Sequence, residues 1–183
     1  MSGGITIPGD WNDWRWSGRA RPTGSNQPTF AQIGTTGLFA WRMAEGDQLY
    51  FSDLQLPHDY KEGTDLHPHA HFATDGSGTI AVVFELVWVD WYNAGDGIPI
   101  TINDPIDLLS SGSSFDEYTQ WVAVPPPGGV MPGSAGVVER AISSIVHARL
   151  TLTSLTGAPA IFLNGLDAHY QVDRLGSRNE FAK

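Results

Sequence analysis

The sequence predicts an all-β protein, a jelly-roll-like β-sandwich with an extended N-terminal arm. Runs of β-branched and aromatic residues recur along the chain and are separated by Gly, Pro and Asp turns. No amphipathic helical pattern longer than about ten residues interrupts them. The chain has 183 residues, 41% of them apolar, and seven Trp, so it is long enough to bury a hydrophobic core.

Residues 1–36 are predicted to form the arm, and residues 37–183 the sandwich body. The arm is rich in Gly, Pro, Ser, Thr and Asn, yet it carries aromatic residues that a flexible linker would not need. We interpret it as a segment that docks on its own body or on a neighbouring subunit; simple burial of its aromatics in the protein's own core is the alternative. The candidate contact residues are Trp11, Trp14, Arg15, Trp16, Arg19, Arg21 and Phe30. In this hypothesis the tryptophans are apolar anchors and the arginines pair with an acidic partner surface.

Seven strands are predicted in the body, at residues 38–43, 48–54, 66–73, 79–92, 120–124, 142–155 and 160–175. The run 79–92 is apolar on both faces, which is typical of a central strand. In the last strand Leu166 and Ala168 alternate with Asp167 and His169, which indicates one buried and one wet face. Residues 96–117 and 124–136 are predicted to be long irregular connections.

The charge distribution excludes several classes of function. The net charge is −10, and residues 43–120 contain fourteen acidic residues against one base, Lys61. Such a field repels nucleic acid, so we expect no direct nucleic-acid binding. The absence of Cys excludes disulfides, thiolate metal sites and a cysteine nucleophile. The first residues resemble no signal peptide and no apolar run is long enough to span a bilayer, so we expect a soluble protein with no membrane partner.

The histidines form the most prominent pattern. Four of the six lie within residues 54–72, and His67, His69 and His71 occupy every second position. In a β-strand such residues project from one face. Neutral imidazoles bind Zn, Ni or Fe, so this strand is a candidate metal site. The alternative is a polar seam without a cofactor, in which the rings hydrogen-bond to the backbone or to carboxylates such as Asp65; this spacing alone is a weak signal for a metal. In a trimer, one histidine per subunit would instead form a ring on the three-fold axis.

Three further residues are candidates to support these rings. Glu85 lies in the middle of an otherwise apolar strand, where a carboxylate could orient an imidazole. Tyr60 and Asp65 flank the histidines and carry groups that can hydrogen-bond to them.

Enzymatic motifs are largely missing. The chain has no GxSxG elbow, no P-loop and no dinucleotide-binding fingerprint, and its scattered acids nominate no catalytic pair. The HxH of His69 and His71 is similar to the first motif of cupins, but Asp75 follows it in place of Glu and no His follows the Gly-rich loop closely. A cupin-like metalloenzyme is therefore an alternative hypothesis.

Four segments together resemble a known group of proteins. They are QPTF at 27–30, LQLPHDYKEGTDLHPHAHF at 54–72, FELVWVDWYNAGD at 84–96 and AHYQVDRLGSRNEFAK at 168–183. The chain resembles small virion proteins encoded among the structural genes of tailed bacteriophages, which share an LPH-Y-EGTD-HPHxHW core and a HYQxDxLGSR close. Phe72 stands where these proteins often have Trp.

The resemblance implies a virion structural protein without catalysis. It implies, more specifically, a capsid decoration (cement) protein that is assembled in the host cytoplasm, forms a homotrimer and stabilises the shell by binding the major capsid protein. The alternative within virions is a tail, neck or receptor-binding component, for which Phe115, Tyr118 and Trp121 are candidate sugar-stacking residues.

Overall fold

The computed structural model describes residues 11–16, 27–91, 100–102, 104–110, 114–135, 138–139 and 144–173, and all regular structure in them is β. Within those ranges no helix could serve as a membrane span. The strands are β1 Trp11–Arg15, β2 Thr29–Gln32, β3 Phe39–Met43, β4 Gln48–Gln55, β5 His67–Thr74, β6 Gly78–Thr79, β7 Ala81–Trp91, β8 Ile100–Ile102, β9 Ile106–Ser110, β10 Ser114–Phe115, β11 Gln120–Ala123, β12 Ser134–Ala135, β13 Val138–Glu139, β14 Ile145–Thr156 and β15 Ile161–Gln171.

Two antiparallel sheets form the body, and the predicted all-β sandwich is confirmed. Sheet A has the order β11-β5-β15-β3-β2, and β1 is added to β15. One edge of β15 pairs with β5 over most of its length, whereas the other edge is shared between β3 at residues 161–163 and β1 at residues 167–171. Sheet B has the order β4-β14-β7-β8, and β9 pairs with β7 beside β8.

The core lies between the two sheets. Phe72 of sheet A and Phe84 of sheet B are both fully buried, and their ring centroids are 5.8 Å apart. Along β7 every second side chain from Val82 to Asp90 is buried and the others are partly exposed, as expected when one face of a sheet is covered. The interior is thus filled by apolar side chains from both sheets.

All seven predicted body strands are present, and one expectation about the rest of the chain needs correction. The region 96–117 contains strands β8, β9 and β10 where a long irregular connection was predicted, because these short runs gain their structure by pairing with β7 and β6. The described parts of the N-terminal segment are also strands of sheet A: β1 pairs with β15, and β2 with β3.

Candidate functional site: the histidine face of sheet A

Three neighbouring strands of sheet A, in the order β5, β15 and β1, carry a cluster of polar side chains on the outer face of the sandwich. We call this cluster the histidine face. It consists of His67, His69, His71, His169, Asp13, Asp167 and Arg15.

Alternation along the strands explains why these residues meet. In β5, Ala70 and Phe72 are fully buried in the core, so the odd-numbered histidines point outward. The antiparallel register places Asp167 opposite His69 and His169 opposite His67. The predicted sharing of one face by the three histidines therefore agrees with the strand geometry.

Asp167 is the centre of the cluster. Arg15 binds its carboxylate with two hydrogen bonds, from Nε to Oδ1 at 2.9 Å and from Nη2 to Oδ2 at 3.0 Å. These bonds, followed by the attraction between the charges, raise the pKa of Arg15. The Nε2 atoms of His71 and His69 lie 3.4 Å and 4.0 Å from the same Oδ2. Asp167 is only 4% exposed, so this carboxylate is largely removed from water.

His69 is the most buried of the rings, at 6% exposure. Burial, followed by electrostatic repulsion from the neighbouring His169, lowers the pKa of His69. The ring centroids of His69 and His169 are 4.5 Å apart, and those of His69 and His71 are 4.9 Å apart. A neutral, desolvated imidazole in such a group is a suitable metal ligand.

The outer part of the cluster is more exposed. His169 Nε2 lies 2.8 Å from Asp13 Oδ1, with both side chains more than half exposed. His67 packs edge-to-face against Trp11 with ring centroids 5.0 Å apart. A shallow cleft of roughly 440 Å³ lies over the cluster and is bounded on the β11 side by Val122 and Val124.

Two residue groups in the described structure have metal-ligand spacing. One is His69, His71 and Asp167, and the other is Asp13, His69 and His169; in each, the candidate ligand atoms lie within 4.8 Å of one another. His67 belongs to neither group. The first group combines two of the three β5 histidines with Asp167 of β15, and the second combines one, His69, with His169 of β15 and Asp13 of β1.

The predicted supporting residues lie elsewhere. Glu85 is on β7 of sheet B, beside Arg149 Nη2 at 3.8 Å, and the prediction that it orients a histidine is wrong because the two sheets separate them. Asp65 accepts a hydrogen bond from the Gly133 amide at 2.9 Å. The Tyr60 hydroxyl donates to the Thr64 carbonyl. The hydrogen bonds of Asp65 and Tyr60 thus stabilise the loop that precedes β5.

The predicted arm contacts divide into four groups. Trp14 and Trp16 are 8% and 2% exposed and belong to the protein's own core, which corrects their prediction as anchors for a partner. Trp11 and Phe30 remain exposed, and Arg15 holds Asp167. Arg19 and Arg21 lie outside the described residues.

The candidate sugar-stacking residues do not form one exposed platform. Phe115 is 2% exposed, and Trp121 packs edge-to-face against it with ring centroids 4.3 Å apart. Trp121 is partly buried and Tyr118 is 37% exposed. Burial therefore removes Phe115 from the candidate sugar-stacking residues, and the receptor-binding alternative stays a prediction.

A second surface feature lies at the β2 edge of sheet A. Phe30 and Phe39 are 61% and 55% exposed, and their rings stack with centroids 5.9 Å apart. Phe30 also contacts Trp41 edge-to-face at 5.3 Å. We call Phe30, Phe39 and Trp41 the aromatic patch. A cleft of roughly 300 Å³ beside the patch is also lined by the buried residues Trp16 and Phe51. The aromatic patch is therefore adjacent to the hydrophobic core.

The contributions of Asp13, Asp167 and His169 to the cluster were not predicted from the sequence. The alternation of β15 already placed Asp167 and His169 on one wet face, which was a usable signal. The order of strands in the sheet determines which strands lie beside β15, and that order was not predicted. Comparison with models of known protein families found no match, and comparison with curated proteins found none either.

Proposed function

We propose that the protein is a non-enzymatic structural component of a tailed-phage virion, specifically a capsid decoration protein that binds the major capsid protein as a homotrimer. The exposed aromatic patch is the observation that carries this proposal. Clustered aromatic side chains at a surface are typical of protein–protein interfaces, where they dominate the binding energy. Phe30 was a predicted contact residue, and it lies at the centre of the patch.

The position of the patch supports attachment to a large surface. It lies on β2 and β3, and β2 is the outermost strand on its side of sheet A among the described strands. The body is a compact sandwich, so the patch can reach a shell while the rest of the molecule stays outside it. Two of the segments that carry the resemblance to virion proteins also contact each other within the described residues, because residues 168–169 of β15 pair with residues 67–68 of β5.

The arrangement gives little support to a cupin-like enzyme. The histidines project from the outer face of sheet A, and the space between the sheets is filled by apolar side chains. A jelly-roll enzyme with an enclosed site would need polar groups in its interior.

The test is cryo-electron microscopy of virions that contain this chain, together with a binding assay on stripped particles. We expect many copies at three-fold positions, with the aromatic patch against the major capsid protein. The double variant Phe30→Ala/Phe39→Ala should bind particles at least about 30-fold more weakly, since each buried aromatic anchor contributes on the order of 1 kcal/mol or more. The matched control Tyr50→Ala removes a 36% exposed aromatic from sheet B and should bind as the wild type does.

Two results would count against this proposal. Density only at the tail, in a few copies, would favour the tail or receptor-binding role. Full occupancy by the double variant would exclude the aromatic patch as the contact surface.

A further inference from the structure

We propose that the histidine face binds one divalent transition-metal ion of the zinc class, coordinated by Nε2 of His69, Nε2 of His71 and Oδ2 of Asp167. This inference is independent of the capsid role, because it concerns the isolated chain.

The distances suit a shared ion better than direct hydrogen bonds. His71 Nε2 and His69 Nε2 lie 3.4 Å and 4.0 Å from Asp167 Oδ2, which is long for hydrogen bonds to a carboxylate. Ligands at about 2.0–2.1 Å from a tetrahedral zinc ion are separated from each other by about 3.3 Å. The first distance already has this value, and the second requires a shift of less than about 1 Å. The candidate ligand atoms of the two histidines lie within 4.8 Å of each other, so they also have to move together by up to about 1.5 Å.

Both rings present Nε2 to the carboxylate. His69 Nδ1 lies 3.5 Å from the His67 carbonyl oxygen, and His71 Nδ1 lies 3.2 Å from Nε2 of the Gln120 side-chain amide. Metal-binding histidines ordinarily use their second nitrogen in this way, which fixes the ring orientation and the tautomer. A side-chain amide offers both a donor and an acceptor, so Gln120 can serve either tautomer of His71.

The Asp167 carboxylate can also bind a metal ion. Arg15 bonds to both oxygens of Asp167, but a carboxylate oxygen has two lone pairs, and Oδ2 therefore keeps one for an ion. The Arg15 side chain is 68% exposed, so solvent screens the repulsion between its guanidinium and a bound cation. The net charge of −10 attracts cations to the protein.

The second group with ligand spacing, Asp13 with His69 and His169, competes for the same nitrogen. Because His69 Nδ1 faces a carbonyl, only Nε2 is free to bind an ion, and the two positions exclude each other. The His169 and Asp13 side chains are 51% and 64% exposed and already 2.8 Å apart, as in a hydrogen bond. The inner group is shielded from water, which strengthens metal–ligand attraction. Two imidazoles favour zinc-class ions over Ca²⁺ or Mg²⁺.

The experiment is calorimetric titration of ZnCl₂ into the untagged full chain after treatment with a chelator. We expect one ion per chain. His71→Ala and the isosteric Asp167→Asn should each weaken binding by about 100-fold or more, since even the loss of a supporting residue costs roughly 10–100-fold. His147→Ala is the matched control, because this histidine lies on β14 of sheet B against Trp91 and should leave the affinity unchanged.

Circular dichroism verifies that each variant is folded, and the visible spectrum of the Co²⁺ form reports the coordination geometry. A tetrahedral cobalt spectrum in the wild type that is lost in Asp167→Asn supports the assigned ligands. Absence of wild-type binding, or equal weakening by His147→Ala, would overturn the proposal. Loss of binding in His169→Ala but not in His71→Ala would overturn the ligand set.

Discussion

Replacing Trp16 by Ala should strongly destabilise the protein, because Trp16 belongs to its own core. The side chain is 2% exposed, and its Nε1 donates to the Val146 carbonyl of sheet B at 3.3 Å. A buried Trp removes roughly 150–250 Å² from water, which at about 25 cal/mol per Å² corresponds to ~4–6 kcal/mol. This agrees with the roughly 3–5 kcal/mol lost in core Trp→Ala substitutions. The free energy of unfolding of a domain is only about 5–15 kcal/mol, so this substitution should remove a large fraction of it.

The assay is urea unfolding followed by far-ultraviolet circular dichroism at several protein concentrations. Trp11→Ala is the matched control in the same strand region: its side chain is 49% exposed, and we expect a loss below about 1 kcal/mol. The reasoning is refuted if both variants have the same unfolding midpoint as the wild type. It is also refuted if the wild-type midpoint rises with protein concentration while that of Trp16→Ala does not, since Trp16 would then be buried by another subunit.

Two further substitutions test other parts of the fold. Arg15→Ala should lower the free energy of unfolding by about 1–2 kcal/mol, because the buried Asp167 loses its Arg15 partner while the solvent around the exposed Arg15 moderates the effect. Urea titration measures this loss, and an unchanged unfolding midpoint would contradict the prediction. Gly157→Ala should cost more than about 2 kcal/mol, because Gly157 has φ +86° and an added Cβ would come within 2.3 Å of the Thr79 carbonyl oxygen. Gly37 is the control, because it has φ +77° and open space around it, so Gly37→Ala introduces backbone strain without a clash. This substitution should lower the free energy of unfolding by about 1 kcal/mol in thermal or urea unfolding. Equal losses for Gly37→Ala and Gly157→Ala would show that the clash at Gly157 has no effect.

The long strands could be predicted because their own residues determine them. The apolar run of β7 and the alternation of β15 mark those segments as strands whichever neighbour they pair with. Strand β1 carries no such signal, since Asn12, Asp13 and Arg15 are poor strand formers. It becomes a strand because β15 offers it a free edge beyond the end of β3.

The candidate site was predictable only in part, for the same reason. Local spacing placed His69 and His71 on one face, but Asp167 is about a hundred residues away in the chain and meets them only through the β5–β15 register. Glu85 was assigned to the wrong sheet because hydrophobicity shows that a strand is buried but not which sheet it joins. The role of the tryptophans of β1 was ambiguous, because a Trp that anchors a partner and a Trp that is buried in the protein's own core look the same in the sequence.

The central position of β15 in sheet A has a consequence for biosynthesis. It is the last of the described strands to leave the ribosome, and yet β1, β3 and β5 all pair with it. A nascent chain that stops before residue 161 therefore holds three strands with an unpaired edge, which is the kind of exposed template that promotes aggregation. Sheet A can be completed only after β15 has been translated, so its folding is dominated by long-range contacts.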